Sequence, residues 1–222
     1  MSIADTRQDI LSDIEHIARE YKRDPQDVHL MAVSKVQPDE RIEEALAAGQ
    51  RVFGENRVQE ALSRWEKRKK EYQDLELHLI GPLQTNKVKE ALSLFDVIHT
   101  LDREKLAVTL SKELQSLEKN NYPLLIQVNT GEEEQKSGIL PAELADFIHF
   151  CRSEQNLHIK GLMCIPPVDE PPALHFAFLR KLAITHGLKE LSMGMSADYQ
   201  KAIPLGATYI RVGTSFFGQR NK

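Results

Sequence analysis

Lys35 stands just past the apolar run Leu30-Met31-Ala32-Val33, with only Ser34 between them. An amine held at the end of a buried strand has little freedom. Desolvation disfavours its charged form, and a neutral lysine is the nucleophile that joins a carbonyl compound as a Schiff base. A solvated lysine at a strand end is the alternative. Two further turns lie late in the chain, Ser192-Met193-Gly194-Met195-Ser196 and Gly213-Thr214. Their glycines let the backbone approach an anion closely, and the Ser192 and Thr214 hydroxyls can donate to it. Such turns suit a phosphate, with ordinary loop glycines and helix-capping serines as the other reading. Together with Lys35 they point to a phosphorylated carbonyl compound held as an imine. Arg211 lies among apolar residues at the end of another run and needs a partner, either a carboxylate or a ligand heteroatom. Beside a pyridine nitrogen its guanidinium, which stays charged, keeps that nitrogen unprotonated and weakens the ring as an electron sink.

The elements that must position these residues follow from the hydrophobic pattern. Ile10, Ile14, Ile17 and Ala18 recur at helical spacing, predicting an amphipathic N-terminal helix that ends near Tyr21. Val28 and Leu30–Val33 then read as a strand buried on both faces, as in a parallel sheet. Pro38 opens the next helix and Gly49 closes it. Further short apolar segments appear at Val52–Phe53, Leu77–Ile80, Val97–His99, Leu124–Val128, Ile159–Met163, Leu191–Met193 and Tyr209–Val212. Amphipathic stretches separate them, so about eight strands each but the last precede a helix. This alternation predicts a single-domain (β/α)₈ TIM barrel over residues 1–222 with an extra N-terminal helix, an open doubly wound sheet being the structural alternative. Pro204 should end or kink the helix read after Asp198.

In such a barrel, chemistry gathers at the carboxyl ends of the strands, and the loops after the last two often bind phosphate. Lys35, Asn56, Ser192, Arg211, Gly213 and Thr214 all fall at those ends. Lys136 is a second candidate amine. Cys164 follows a strand near the mouth without signs of an activated thiolate, and His78 and His99 read as core or rim residues. The eight histidines show no ligand spacing, which argues against a metal.

Composition narrows the class. The 222 residues carry 29 Lys plus Arg against 33 Asp plus Glu, a net charge of −4 that disfavours nucleic acid as a partner. Two cysteines suit a reducing compartment. The start at Met1 lacks the basic patch and apolar stretch of a signal peptide, and no apolar run approaches the ~20 residues of a membrane span. The expectation is a cytoplasmic protein with no membrane partner.

The motifs resemble those of the pyridoxal-phosphate homeostasis proteins, the proline-synthase co-transcribed homologues. The resemblance begins at Ala32-Val33-Ser34-Lys35 and continues through Phe53-Gly54-Glu55-Asn56, Ile80-Gly81, Gln127-Val128-Asn129 and Lys136-Ser137-Gly138. It finishes with Leu191-Ser192-Met193-Gly194-Met195-Ser196 and Arg211-Val212-Gly213. It implies the barrel of the alanine racemase N-terminal domain with pyridoxal 5′-phosphate as cofactor. Lys35 matches the imine lysine, Ser192, Gly213 and Thr214 the phosphate-binding positions, Arg211 the arginine facing the pyridine nitrogen, and Asn56 a residue near the ring. The family is regarded as influencing vitamin B6 and amino-acid homeostasis, with apo forms of pyridoxal-phosphate enzymes as candidate recipients. Two departures, Arg57 for tyrosine and Leu77 and Leu79 for aromatics, are expected to alter the rim of the pocket.

Three activities compete: a carrier without turnover, a racemase-like enzyme, and a Schiff-base aldolase. Racemisation needs acid/base groups on both faces of the substrate. The related racemase takes its opposing tyrosine from a second domain of a partner subunit. Here the chain stops at Lys222 after the last barrel element, so neither that domain nor that route to a dimer is expected. No tyrosine of this chain clearly takes its place, Tyr199 after strand seven being the one alternative. A monomeric carrier is the preferred reading.

Overall fold

A computed structural model describes residues 2–218, so the chain start at Met1 and the end at Lys222 lie outside the described residues. The eight strands are β1 (His29–Val33), β2 (Val52–Glu55), β3 (Glu76–Leu79), β4 (Val97–Leu101), β5 (Leu124–Gln127), β6 (Ile159–Met163), β7 (Glu190–Met195) and β8 (Tyr209–Val212). All pair in parallel in chain order, and β8 returns to β1 through Leu30↔Ile210 and Ala32↔Val212 to close the barrel. The open-sheet alternative is excluded by that closure.

Helix α1 (Ile3–Glu20) precedes the barrel, and α2 (Asp39–Ala47), α3 (Val58–Glu71), α4 (Val88–Leu94) and α5 (Glu104–Ser116) follow the first four strands. The ring continues with α6 (Leu144–His149), α7 (Pro172–Thr185), α8 (Tyr199–Ala202) and α9 (Thr214–Phe217). The last strand is therefore followed by a short helix that the pattern did not reveal, because four residues are too few to show a 3.6-residue period. Helix α8 stops two residues before Pro204, as the proline requires.

Strand alternation divides the chain into two packed regions. Leu30, Ala32, Phe53, Leu77, Leu79, Ile98 and Ile210 face outward into the core shared with the helices. Leu77 and Leu79 thus lie under the helices and not at the mouth, so the expected change at the rim does not arise from them. Helix α1 adds Ile3, Ile10, Ile14 and Ala18 to the same core. Its first turn is fixed by a capping box in which Ser2 and Asp5 satisfy each other's backbone N–H groups.

The inner face carries a polar column. His78 Nδ1 meets His99 Nε2 at 2.7 Å, and His78 Nε2 meets the Glu76 carboxylate at 2.7 Å. Both imidazoles are fully buried and pack against the Tyr209 ring. The Glu76 carboxylate accepts from His78 Nε2–H, and one imidazole donates to the other across the Nδ1–Nε2 contact. Burial, then the charges of His78 and Arg211, hold the His99 pKa well below the usual histidine range. An unfolded chain takes up a proton near pH 6.5 that the native state refuses, so stability falls as pH drops below that value. His99→Gln is expected to remove up to about 1.4 kcal/mol of this loss per pH unit, read from unfolding curves at pH 5 and 7.

Candidate functional site: the mouth of the barrel

A cavity of about 300 Å³ opens at the carboxyl ends of the strands, within the usual range for small-molecule sites. Lys35 from the turn after β1, Asn56 after β2, Arg211 of β8, and Gly213 and Thr214 just beyond it all line this one space. Val33, Ile80, Ile165 and Met195 supply its apolar wall. Two cationic side chains and no carboxylate are among the lining residues, so the cavity is made for an anion.

Asn56 is held by a close backbone approach. A Cβ on Gly81 would lie 2.2 Å from the Asn56 carbonyl oxygen, so only glycine lets the loop after β3 rest there. Gly81 was visible in the sequence as part of Ile80-Gly81, but its role comes from this contact.

Arg211 is buried at the base of the cavity. Its guanidinium donates to Ser192 Oγ and to the Cys164 carbonyl, each at 2.8 Å. Both acceptors are neutral, which leaves the cation without a bonded carboxylate; burial also holds its pKa below the usual arginine value. Ser192 is fully buried and is not on the cavity wall. Its hydroxyl oxygen accepts from the Arg211 guanidinium, one contact removed from the cavity.

The serine on the wall is Ser196, four residues later in the same block. Its Oγ accepts from the backbone N–H groups of Gly213 and Ser215, each at 3.2 Å. Converging backbone donors of this kind form an anion-binding concavity, with the hydroxyl oxygen standing where an anion's oxygen would. The shift from Ser192 to Ser196 has a local cause. Strand β7 continues through the block to Met195, its register shifts between Ser192 and Met195, and Gly194 takes φ +89°. A Cβ on Gly194 would sit 2.6 Å from the Ala202 Cβ, so glycine also lets α8 pack against the strand.

Three other candidates lie elsewhere. Lys136 lines an adjoining cavity of about 310 Å³, which shares Asn56, Ile80 and Ile165 with the first, and its ammonium pairs with Glu133 at 2.5 Å. Tyr199 donates to Asp13 Oδ2 of α1 at 2.6 Å and is absent from the mouth. Arg57 is exposed, pairs with Glu60 and lines an outer cavity with Gln84 and Lys87 that meets the first only at Asn56. Cys164 and Cys151 are buried, and burial pushes both thiols up to about 12. Neither is expected to react with iodoacetamide at pH 8 in the native protein, since thiolate is the reactive form. Rapid labelling without denaturant would show that these sites open readily. No cluster of His, Cys, Asp or Glu suited to a metal occurs among the described residues, and no helix there is long and apolar enough to cross a membrane.

The model of the alanine racemase N-terminal domain matches residues 10–221. The chain is 40% identical to the pyridoxal phosphate homeostasis protein of Vibrio cholerae, over 99% of this chain and 97% of that one. It is 39% identical to the protein of the same name from Escherichia coli, over 90% and 88% of the two chains. Among solved structures it is similar to PipY of Synechococcus elongatus with pyridoxal phosphate bound. That match has a TM-score of 0.78 and 38% identity, and covers 93% of this chain and all of the other. The alanine racemase of Clostridium difficile shares the fold, with a TM-score of 0.72 at 14% identity over 98% of this chain and 58% of the racemase. The sequence and the closed barrel agree, and the chain belongs to the alanine racemase N-terminal domain family and, within it, to the pyridoxal phosphate homeostasis proteins.

Proposed function

We propose that this protein binds pyridoxal 5′-phosphate as a Schiff base on Lys35 and acts in intracellular vitamin B6 homeostasis, handing the cofactor to apo enzymes without turnover. The observation that carries this reading is the meeting of Lys35, Arg211 and the Gly213–Thr214 backbone around one cavity without a carboxylate. An aldehyde-bearing, phosphorylated, anionic ring matches each of those features. The bound cofactor of PipY, a relative of nearly equal length, points the same way.

Each residue then has a task. Lys35 supplies the amine. Gly213, Thr214 and Ser196 receive the phosphate, the Ser196 hydroxyl turning from acceptor to donor. Arg211 faces the pyridine nitrogen and keeps it unprotonated, with Ser192 fixing the guanidinium from below. Asn56 borders the ring. When bound, the cofactor supplies an electrophilic carbon and an electron-withdrawing ring, which an unprotonated nitrogen restrains. Residues 1–222 serve as one cofactor-binding domain, cytoplasmic and monomeric.

The absence of turnover has a specific support. No tyrosine is among the residues lining the mouth, and the hydroxyl of Tyr199 is engaged by Asp13. A proton donor opposite Lys35 is what two-base racemisation needs. The test is to mix the loaded protein with an apo enzyme that depends on pyridoxal phosphate. Recovery of that enzyme's activity, with L-alanine left unracemised by the loaded protein alone, is the expected result. Racemisation at rates typical of enzymes would replace the carrier reading with the catalytic one.

A further inference from the structure

The residue after Lys35 holds a backbone conformation that its side chain disfavours. Val36 has φ +56°, in the left-handed region, where a β-branched residue is an outlier. Lys22, Glu118 and Asn156 share that region, but each lies just past a helix, where it is an ordinary way to stop, and Glu132, in the loop after β5, is not β-branched. Val36 ends no helix. It is the third residue of a four-residue turn, Ser34 to Gln37, closed by the Gln37 N–H donating to the Ser34 carbonyl at 3.1 Å. Lys35, second in the turn, is outside the left-handed region, so the pattern is type II, whose third position favours glycine. The Val36 residue is 61% exposed, so packing does little to offset the strain. Something else must hold the turn.

Arg64 of α3 does so. Its Nη1 donates to the Ser34 carbonyl at 2.9 Å and its Nη2 to the Gln37 carbonyl at 3.0 Å, so one guanidinium spans both ends of the turn. Glu55 at the end of β2, fully buried, aims it. One Glu55 oxygen accepts from Arg64 Nη1 at 3.2 Å, from Ser34 Oγ at 2.8 Å and from Trp65 Nε1 at 3.0 Å. A planar fork is needed for this grip, and a lysine ammonium at the same place cannot reproduce it.

We infer that Arg64 and Glu55 are positioning residues for Lys35: they hold its turn closed against the strain at Val36 and so keep the amine at the cavity. The inference rests on Lys35 being the attachment point of the cofactor. It makes the grip necessary only because residue 36 is a valine. Support of the fold alone would not depend on that residue.

The experiment is a titration of wild type, R64K, V36G and V36G/R64K with pyridoxal phosphate, followed at ~420 nm, with unfolding curves for all four. R64K is expected to bind roughly 10-fold more weakly, within the range that one strained left-handed residue spans. V36G should bind within about threefold of wild type, and V36G/R64K should regain most of the loss, since glycine takes this conformation without strain. Should R64K fail to fold, E55Q, which keeps the side-chain shape and removes the charge, takes its place in the same comparison. Wild-type affinity in the gripping variant overturns the inference, and so does a loss that V36G leaves unrepaired. A wild-type protein that takes no adduct on Lys35 overturns the attachment reading as well. A normal adduct with R64K or E55Q unaffected overturns the clamp only.

Discussion

Lys35→Ala is expected to weaken retention of pyridoxal phosphate by about 100-fold or more, because the proposed covalent link would be lost and only phosphate and ring contacts would remain. The absorbance near ~420 nm should disappear with it. The fold should survive. Lys35 is half-buried on a turn at the mouth, outside both packed regions of the barrel, and truncation there removes little apolar contact. Unfolding within a few degrees of wild type, beside the loss of colour, separates a site residue from a structural one. Covalent cofactor retained in the variant would identify another attachment point. Lys136, in the adjoining cavity, is the first to map.

Arg211→Met should separate binding from stability. The guanidinium is buried with two neutral acceptors, Ser192 Oγ and the Cys164 carbonyl, and no bonded carboxylate. Burying a cation on neutral acceptors, with no carboxylate bonded to it, costs the empty protein several kcal/mol, and an apolar side chain of similar length removes that cost. The Cys164 carbonyl loses its donor, which returns about 1–3 kcal/mol of it. The empty variant should therefore unfold within about 4 °C of wild type, or above it, given that 1 kcal/mol shifts a chain of this size by about 2–4 °C. Affinity for the anionic cofactor should fall by about 10- to 100-fold, since the positive charge proposed to face its ring would be gone. Unfolding curves of the empty proteins and cofactor titrations measure the two effects. A large drop in unfolding temperature with unchanged affinity would make Arg211 a structural residue. As a trade of stability for function, a charge kept where the fold gains nothing from it is best explained by its ligand.

The parts of this site that were legible in the sequence are those set by one strand and its end. Lys35 after Leu30–Val33, and Arg211 amid apolar neighbours, stand out because a charge at the end of a buried strand has few places to go. Strand alternation also decides which way the residues of β3 face. With His78 facing inward, Leu77 and Leu79 must face the helices, and the structure places both in the outer core. Ser192 and Ser196 could not be separated from the sequence, since the register shift at Gly194 decides which one reaches the wall. The grip on the Lys35 turn was invisible for another reason. Arg64 reaches back 30 residues to Ser34 and 27 to Gln37, and nothing local marks Val36 as left-handed. Such contacts exist only once β1, β2 and α3 have packed. The His78–His99 column likewise depends on the pairing of β3 with β4, in which His78 aligns with Val97 and Leu79 with Ile98.

The most direct measurement is borohydride reduction of the wild-type protein after loading with pyridoxal phosphate, followed by mass mapping of the modified peptide. A reduced pyridoxyl group on Lys35, at one per chain, is the expected result, and it would fix the ligand, the attaching residue and the barrel mouth as its site together. A protein that stays colourless and unmodified, or one that carries the adduct elsewhere with Lys35 intact, would contradict the proposed function.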